Sequence, residues 1–238
     1  MRPYGNPAAE KGEFSRRKQV TFGRGGGHRI VWNAGRSHYV GGMGSEPLDF
    51  STSQPPQMLR GLAELQAEFA AGRKLPPVER WNPPYCGEIP MRIARDGTWH
   101  YMGTPIGRPA MVRLFSTVLR READGAHVLV TPVERVGIEV EDAPFLAVAV
   151  TAAGEGADRR LTFLTNVGDA VTADGDHPIR VAENPETGEP SPYVLVRGRL
   201  EARLSRPVFY ELAEMAEERD GVLGVVSGGV FFALGRAA

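Results

Sequence analysis

The 238-residue chain holds one cysteine, Cys86, and five histidines. A lone cysteine excludes an intramolecular disulfide framework and any multi-cysteine zinc cage, and it fits a reducing cytoplasm. Zinc would need more ligands than His100, His127, His177 and Cys86 supply together, so neither metal nor cofactor is expected. Long apolar runs are missing too. No stretch of roughly eighteen apolar residues could span a bilayer, and no apolar segment near Met1 resembles a signal peptide. The expectation is a soluble cytoplasmic protein with no membrane partner.

A surplus of one charge is also lacking, since the net charge is only -1. The balance is uneven along the chain: residues 1–44 carry eight Lys or Arg against two Glu, and the remainder carries twenty bases and twenty-seven acids. The body therefore lacks the basic surface that polyphosphate attraction needs, and no nucleic-acid partner is expected for it. In the first 44 residues, F-G-R-G-G-G-H-R at 22–29 fails as a phosphate loop. Its third glycine position is His28, no Walker lysine follows, and no strand-helix pattern frames it. Residues 1–44 read as a disordered, basic, Gly-rich extension, with Met43 as a candidate authentic start. An arm at 45–77 follows. There M-L-R-G-L-A-E-L-Q-A-E-F-A-A-G-R at 58–73 spaces Leu59, Leu62, Leu65 and Phe69 three and four apart, which predicts an amphipathic helix over 58–71 ended by Gly72 and Pro76-Pro77.

What is abundant beyond residue 78 is short β-branched and aromatic runs punctuated by Gly, Pro and Asp-Gly, the pattern of many short strands. Two helices interrupt them, over 109–122 and 207–219, each with one apolar stripe. Their surroundings match. Arg108-Pro109 and Arg206-Pro207 open the helices, Asp124-Gly125 and Asp220-Gly221 follow, and A-H-V-L-V-T and V-L-G-V-V-S come next; the offset is 98 residues at Arg-Pro and 96 at Asp-Gly. The order strand, Arg-Pro helix, Asp-Gly, strand indicates a duplicated α+β module. Each half is expected to be a curved, mainly antiparallel sheet wrapped on one helix, the first at 78–150 and the second at 151–238. P-F-L-A-V-A-V-T-A-A and R-L-T-F-L-T-N read as a hairpin bridging the halves.

Catalytic templates mostly fail on this chain. G-V-V-S-G-G would need Gly in place of Val225 to make Ser227 a nucleophile elbow. A calcium loop starting at Asp174 meets Pro178 and Pro185 at ligand positions. The rigid loop from Trp81 to Glu88 and the segment from Thr131 to Arg135 combine aromatics with fixed polar groups, which suits ligand contact and tight packing equally. The run T-N-V-G-D-A-V-T-A-D-G-D-H-P-I-R-V at 165–181 concentrates Asn166, Asp169, His177 and Arg180 between apolar stretches. Asn and Asp there also serve as turn formers.

The run W-N-P-P-Y-C-G-E-I-P-M-R-I-A-R-D-G-T-W-H-Y-M-G-T-P-I-G-R-P-A-M-V-R-L-F-S-T-V-L-R-R-E, with T-P-V-E-R-V, T-N-V-G-D and D-H-P-I-R-V after it, closely resembles the bacterial domain-of-unknown-function family 1285 over residues 77–236. The resemblance implies a two-part α+β protein with repeated motifs and a suggested role in signal transduction. The family's recurrent polar positions fall on Trp81, Asn82, Gly87, Arg92, Arg108, Glu134, Asn166, Asp169, His177 and Arg180, none with an assigned role.

The reading that follows is a cytoplasmic regulatory or ligand-binding protein. A groove between its halves would gather Arg108, Glu134, Asn166, Asp169, His177 and Arg180 around a small anionic or polar ligand. The alternative is a hydrolase or lyase with Asp169 and His177 as its acid-base pair. A third reading is a protein-interaction module, or a self-associating one, that uses the 58–73 helix, through exposed Leu62 and Phe69, and a sheet edge.

Overall fold

The computed structural model describes residues 20–21, 61–62, 65, 75–183 and 188–237. Each Arg-Pro pair does open a helix, α1 (Pro109–Thr117) and α2 (Arg206–Glu214), with Pro in the first turn, where its missing N–H costs nothing. Both helices end earlier than their apolar stripes. In α1 the hydroxyls of Ser116 and Thr117 donate back to the carbonyls of Arg113 and Leu114 at 2.7 Å each, and Val118 leaves the helix. The residues beyond each helix are strands, because an Asp-Gly turn folds them onto the next apolar run.

In chain order the strands are β1 (Val20–Thr21), β2 (Tyr85–Ile93), β3 (Trp99–Tyr101), β4 (Thr104–Pro105), β5 (Leu119–Arg121), β6 (His127–Val130), β7 (Arg135–Val140), β8 (Phe145–Ala153), β9 (Arg160–Thr165), β10 (Ala170–Thr172), β11 (Ile179–Glu183), β12 (Pro190–Arg197), β13 (Leu200–Leu204), β14 (Glu217–Arg219), β15 (Val222–Ser227) and β16 (Val230–Ala237). The first half is one sheet, ordered β4-β3-β2-β7-β6-β5, in which only β2 and β7 run parallel. The second half holds a six-stranded sheet, β10-β9-β8-β13-β12-β11, with β8 and β13 parallel, and a smaller sheet, β1-β16-β15-β14.

The duplication is visible in the connectivity. Strands β2–β4, helix α1 and strands β5–β7 correspond to β11–β13, α2 and β14–β16. In the first copy β2 pairs with β7; in the second β11 lies beside β16 without a shared ladder, and β13 takes the added strand β8 instead. The second Asp-Gly turn is a tight two-residue hairpin between Arg219 and Val222, with Asp220 and Gly221 both at positive φ (50° and 76°). The fold is thus α+β with two related, curled, sheet-rich halves. The strand over residues 145–153 lies wholly in the second sheet and runs through residue 150, so the 144–166 hairpin belongs to the second half and reaches the first through Asn166 at its end. Its inward residues Phe145, Ala147 and Val150 are buried with Phe163 and Leu161 of β9.

One hydrophobic core runs through both halves. Trp99 stacks on Phe115 of α1 at 6.2 Å, and Val208 and Leu212 of α2 are fully buried. Leu65 joins this core, donates its N–H to Gly61 O at 3.3 Å in one helical turn, and has Leu62 packed alongside. Gly61 faces Thr131 and Val133. Leu62 is therefore committed to the body, which removes half the argument for an exposed interaction helix; Phe69, Met43 and the remainder of the expected extension and arm lie outside the described residues. Among the described residues no helix is long and apolar enough to cross a membrane.

One core-flanking residue makes stability depend on pH. His127 on β6 is half-buried, and its Nε2 has no hydrogen-bond partner among the described residues. Burial, with the Arg121 cation beside it, pushes the imidazole pKa down to about 4. The unfolded chain takes up this proton near pH 6.5 and the folded chain only near 4. Stability is therefore lost progressively as pH falls from about 6.5 to 4, by roughly 1–2 kcal/mol after discounting for solvent screening at this site. Urea titrations at pH 7 and 4.5 should show this loss, and His127→Gln should flatten it.

Candidate functional site

The polar run at 165–181 is built by β9, β10 and the turn into β11, and its side chains are mostly engaged. Asn166 clasps Leu146 on β8 with two hydrogen bonds: its N–H donates to Leu146 O at 2.8 Å, and its Oδ1 accepts the Leu146 N–H at 3.0 Å. Its Nδ2 donates to Gly97 O in the first half at 3.2 Å. Gly97 is required there, since its φ is +84° and an added Cβ would sit 2.6 Å from that Nδ2. Asp169 pairs with Arg197 at the end of β12, which also donates to Ser116 O of α1 at 2.6 Å and lies 4.9 Å over the Phe145 ring. Asn166, Asp169 and Arg197 thus form a polar clamp that joins the halves.

His177 serves a different purpose. Asp174 Oδ1 accepts the N–H groups of Asp176 and His177 at 2.9 and 2.8 Å, closing the turn, and His177 Nδ1 lies 3.1 Å from Leu195 O. That contact fixes the proton on Nδ1. Strand β10, prolonged by the Ala173 N–H to Leu161 O bond, separates Asp169 from this turn. The intervening extended chain spans about 13 Å. Asp169 pairs with Arg197 and His177 with Leu195 O, so each side chain has its own partner on β12.

The other proposed ligand residues are dispersed. Arg108 is the exposed N-cap residue of α1 and caps with its backbone carbonyl, not its side chain. Glu134 is buried in a turn closed by Thr131, whose N–H donates to Glu134 O at 2.9 Å. On β5, Arg120 donates to Val78 O at 2.7 Å, Trp81 O at 2.6 Å and Glu122 Oε1 at 2.6 Å. This explains the rigidity of the Trp81 loop without a ligand.

Arg180 lies in a strongly charged cluster. On the face shared by β11, β12 and β13 it pairs with both oxygens of Glu201, at 2.5 and 2.6 Å, and stacks 4.2 Å over the Tyr193 ring. Tyr193 donates its hydroxyl to Asp142 Oδ1 at 2.6 Å, and burial followed by this bond raises its pKa above the ordinary phenol value. Asp142 Oδ2 also holds Arg95 at 3.2 Å and Arg203 at 3.5 Å, while Arg121 lies 3.9 Å from Glu201. Four guanidinium groups therefore meet two carboxylates at the junction of the halves. Arg95 and Arg121 come from the first half, Arg180 and Arg203 from the second. The sequence reading missed Arg95, Arg121, Asp142, Tyr193, Glu201 and Arg203. The only local signal was the alternation Leu200, Glu201, Ala202, Arg203, Leu204, which reads as an ordinary solvated strand face. Among the described residues no group of three or more His, Cys, Asp or Glu could hold a metal.

Comparison with known proteins agrees with the two-part architecture. The model for the N-terminal domain of DUF1285, a domain of unknown function, matches residues 76–143, and that for the DUF1285 C-terminal domain matches 144–234. The two models meet just before β8, where the second sheet begins. The crystal structure of a DUF1285 family protein from Silicibacter pomeroyi DSS-3 is 54% identical, with 72% of this chain and 94% of that chain covered at a TM-score of 0.66. Another DUF1285 family protein, from Shewanella baltica OS155, is 26% identical over 53% of this chain and 91% of that one, with a TM-score of 0.43. No curated protein matches. With both domain models matched in order and a solved relative 54% identical over the aligned residues, the chain belongs to the DUF1285 family.

Proposed function

We propose that this chain is a regulatory ligand-binding protein that takes a small anion at the junction of its halves. The reading rests on one observation: among the described residues, Arg95, Arg121, Arg180 and Arg203 form their ion pairs with two carboxylates, Asp142 and Glu201. Planar guanidinium groups suit carboxylate, phosphate or sulfate. Because the arginines come from both halves, an anion held among them would tie the halves together, which is how a binding event becomes a regulatory signal. Binding is favoured over hydrolysis because Asp169 and His177 have separate partners. The exposed, unbridged Cys86 is consistent with a reducing, cytoplasmic setting.

Thermal-shift measurements on the full chain with inorganic phosphate, a nucleoside monophosphate and a dicarboxylate test this reading. A ligand at a hundred times its Kd adds about 2.7 kcal/mol of stability, or several degrees for a chain of this length. Arg95→Ala, in an exposed side chain, should weaken that binding at least tenfold, while Arg108→Ala should leave it unchanged. Equal binding by wild type and Arg95→Ala, or no shift with any anion, would defeat the proposal.

A further inference from the structure

Across β5, β6 and β7 the ladder sets Arg121 opposite His127 and His127 opposite Ile138. Two residues away on each strand, on the same face, the next row is Leu119, Leu129 and Val136, all buried in the core. Arg121, beside His127, reaches Glu201 of β13 in the second half, so this row stands where the core-facing side of the first sheet meets the junction. The contact is a loose one. Glu201 lies 3.9 Å from Arg121 and gives both its oxygens to Arg180, at 2.5 and 2.6 Å. Of the four arginines at the junction, Arg121 has the longest ion-pair distance, and its charge is the least neutralised.

The imidazole of His127 has no acid beside it, and its Nε2 is buried without a hydrogen-bond partner among the described residues. Ile138 contributes no charge. Asp124, in the turn between β5 and β6, accepts the Ala126 N–H at 3.0 Å, and Arg120, Glu122 and Glu139 alternate to the opposite face of the sheet. Arg121 is thus the charge that acts on His127, and together with burial it keeps the ring neutral at pH 7. An anion drawn to Arg121 reverses that balance, because it offsets the guanidinium charge and attracts a proton to the ring. Proton and anion then strengthen each other by the same factor, whichever binds first. We propose, resting on the reading of the arginine cluster as an anion site, that His127 couples anion binding there to proton uptake, so that the junction holds its anion more tightly as pH falls. His127 acts through Arg121 and is a positioning residue of the site.

Isothermal titration of the full chain with sodium sulfate at pH 8 and pH 5.5 tests the coupling, because sulfate keeps its charge over that range. If the bound anion returns His127 to the ordinary imidazole value of about 6.5, binding becomes about tenfold tighter at pH 5.5 than at pH 8. Heats measured in two buffers of different ionisation enthalpy should show proton uptake at pH 5.5 and none at pH 8. The NMR titration midpoint of the His127 ring should rise when sulfate is present. His127→Gln should bind sulfate as wild type does at pH 8 and lose the gain at pH 5.5. An unchanged NMR midpoint, or a gain that survives in His127→Gln, overturns the coupling. Equal affinity at both pH values, still lost in Arg95→Ala, overturns the coupling and keeps the anion site; no saturable binding at either pH overturns both.

Discussion

Replacing Arg120 with methionine will destabilise the protein by about 3–5 kcal/mol, the range for breaking a buried charge network from one side. Arg120 is 6% exposed, yet it carries a full charge, which is tolerable because three acceptors surround it. Two are the carbonyls of Val78 and Trp81, so the side chain anchors the short turn before β2. The third is Glu122, which also receives Arg135 Nη1 at 3.2 Å. Methionine fills much of the volume but takes the guanidinium donor from the Val78 and Trp81 carbonyls and leaves Glu122 with Arg135 as its one cation partner among those described. Lysine keeps the charge but cannot present a planar fork to three acceptors, so it should recover only part of the loss. Urea unfolding measures the difference. A change below about 1 kcal/mol for methionine would show that the network contributes nothing net. Combined with Glu122→Gln, the loss should fall short of the sum of the single effects, because the two residues share bonds.

The second large effect is expected at Arg197. Arg197→Ala removes three contacts at once: the ion pair with Asp169, the hydrogen bond to Ser116 O, and the cation over the Phe145 ring. About 2–4 kcal/mol should be lost, since Asp169 and a helix-terminal carbonyl are left unpaired in a partly buried seam. The seam gives this variant a second signature. Wild type should unfold in one cooperative step through its common core, whereas the variant should show a calorimetric enthalpy above the van't Hoff enthalpy as the halves melt separately. Asp169→Asn should cost less, about 1 kcal/mol, because Arg197 keeps Ser116. A single sharp transition in Arg197→Ala, with stability close to wild type, would mean that the halves are held together without the Arg197 contacts.

The site was far less legible in the sequence than the fold. Asn166 and Asp169 stood out because they crowd into one stretch, and they do lie at the seam. Their partners did not stand out, since Gly97 is 69 residues from Asn166 and Ser116 is 81 residues from Arg197. Arg120 fell inside the helix expected over 109–122 until the chain turned into β5 and carried it to Val78, 42 residues away. Arg180 was picked out for its place beside His177, but its surroundings come from Glu201, Tyr193 and Asp142. No periodicity announces a cluster assembled from two halves.

The amino-acid sequence by itself determined what depends on near neighbours. Proline in the first helical turn, Asp-Gly between paired strands and the spacing of apolar residues act within a few positions, so the two modules and their repeat could be read directly. The tertiary structure decided where α1 and α2 stop, which half owns β8, which arginines share a surface, and that Asp169 and His177 serve separate purposes. Those outcomes depend on strand pairing and burial between distant segments. A charge gains or loses its meaning only when folding brings a second one beside it.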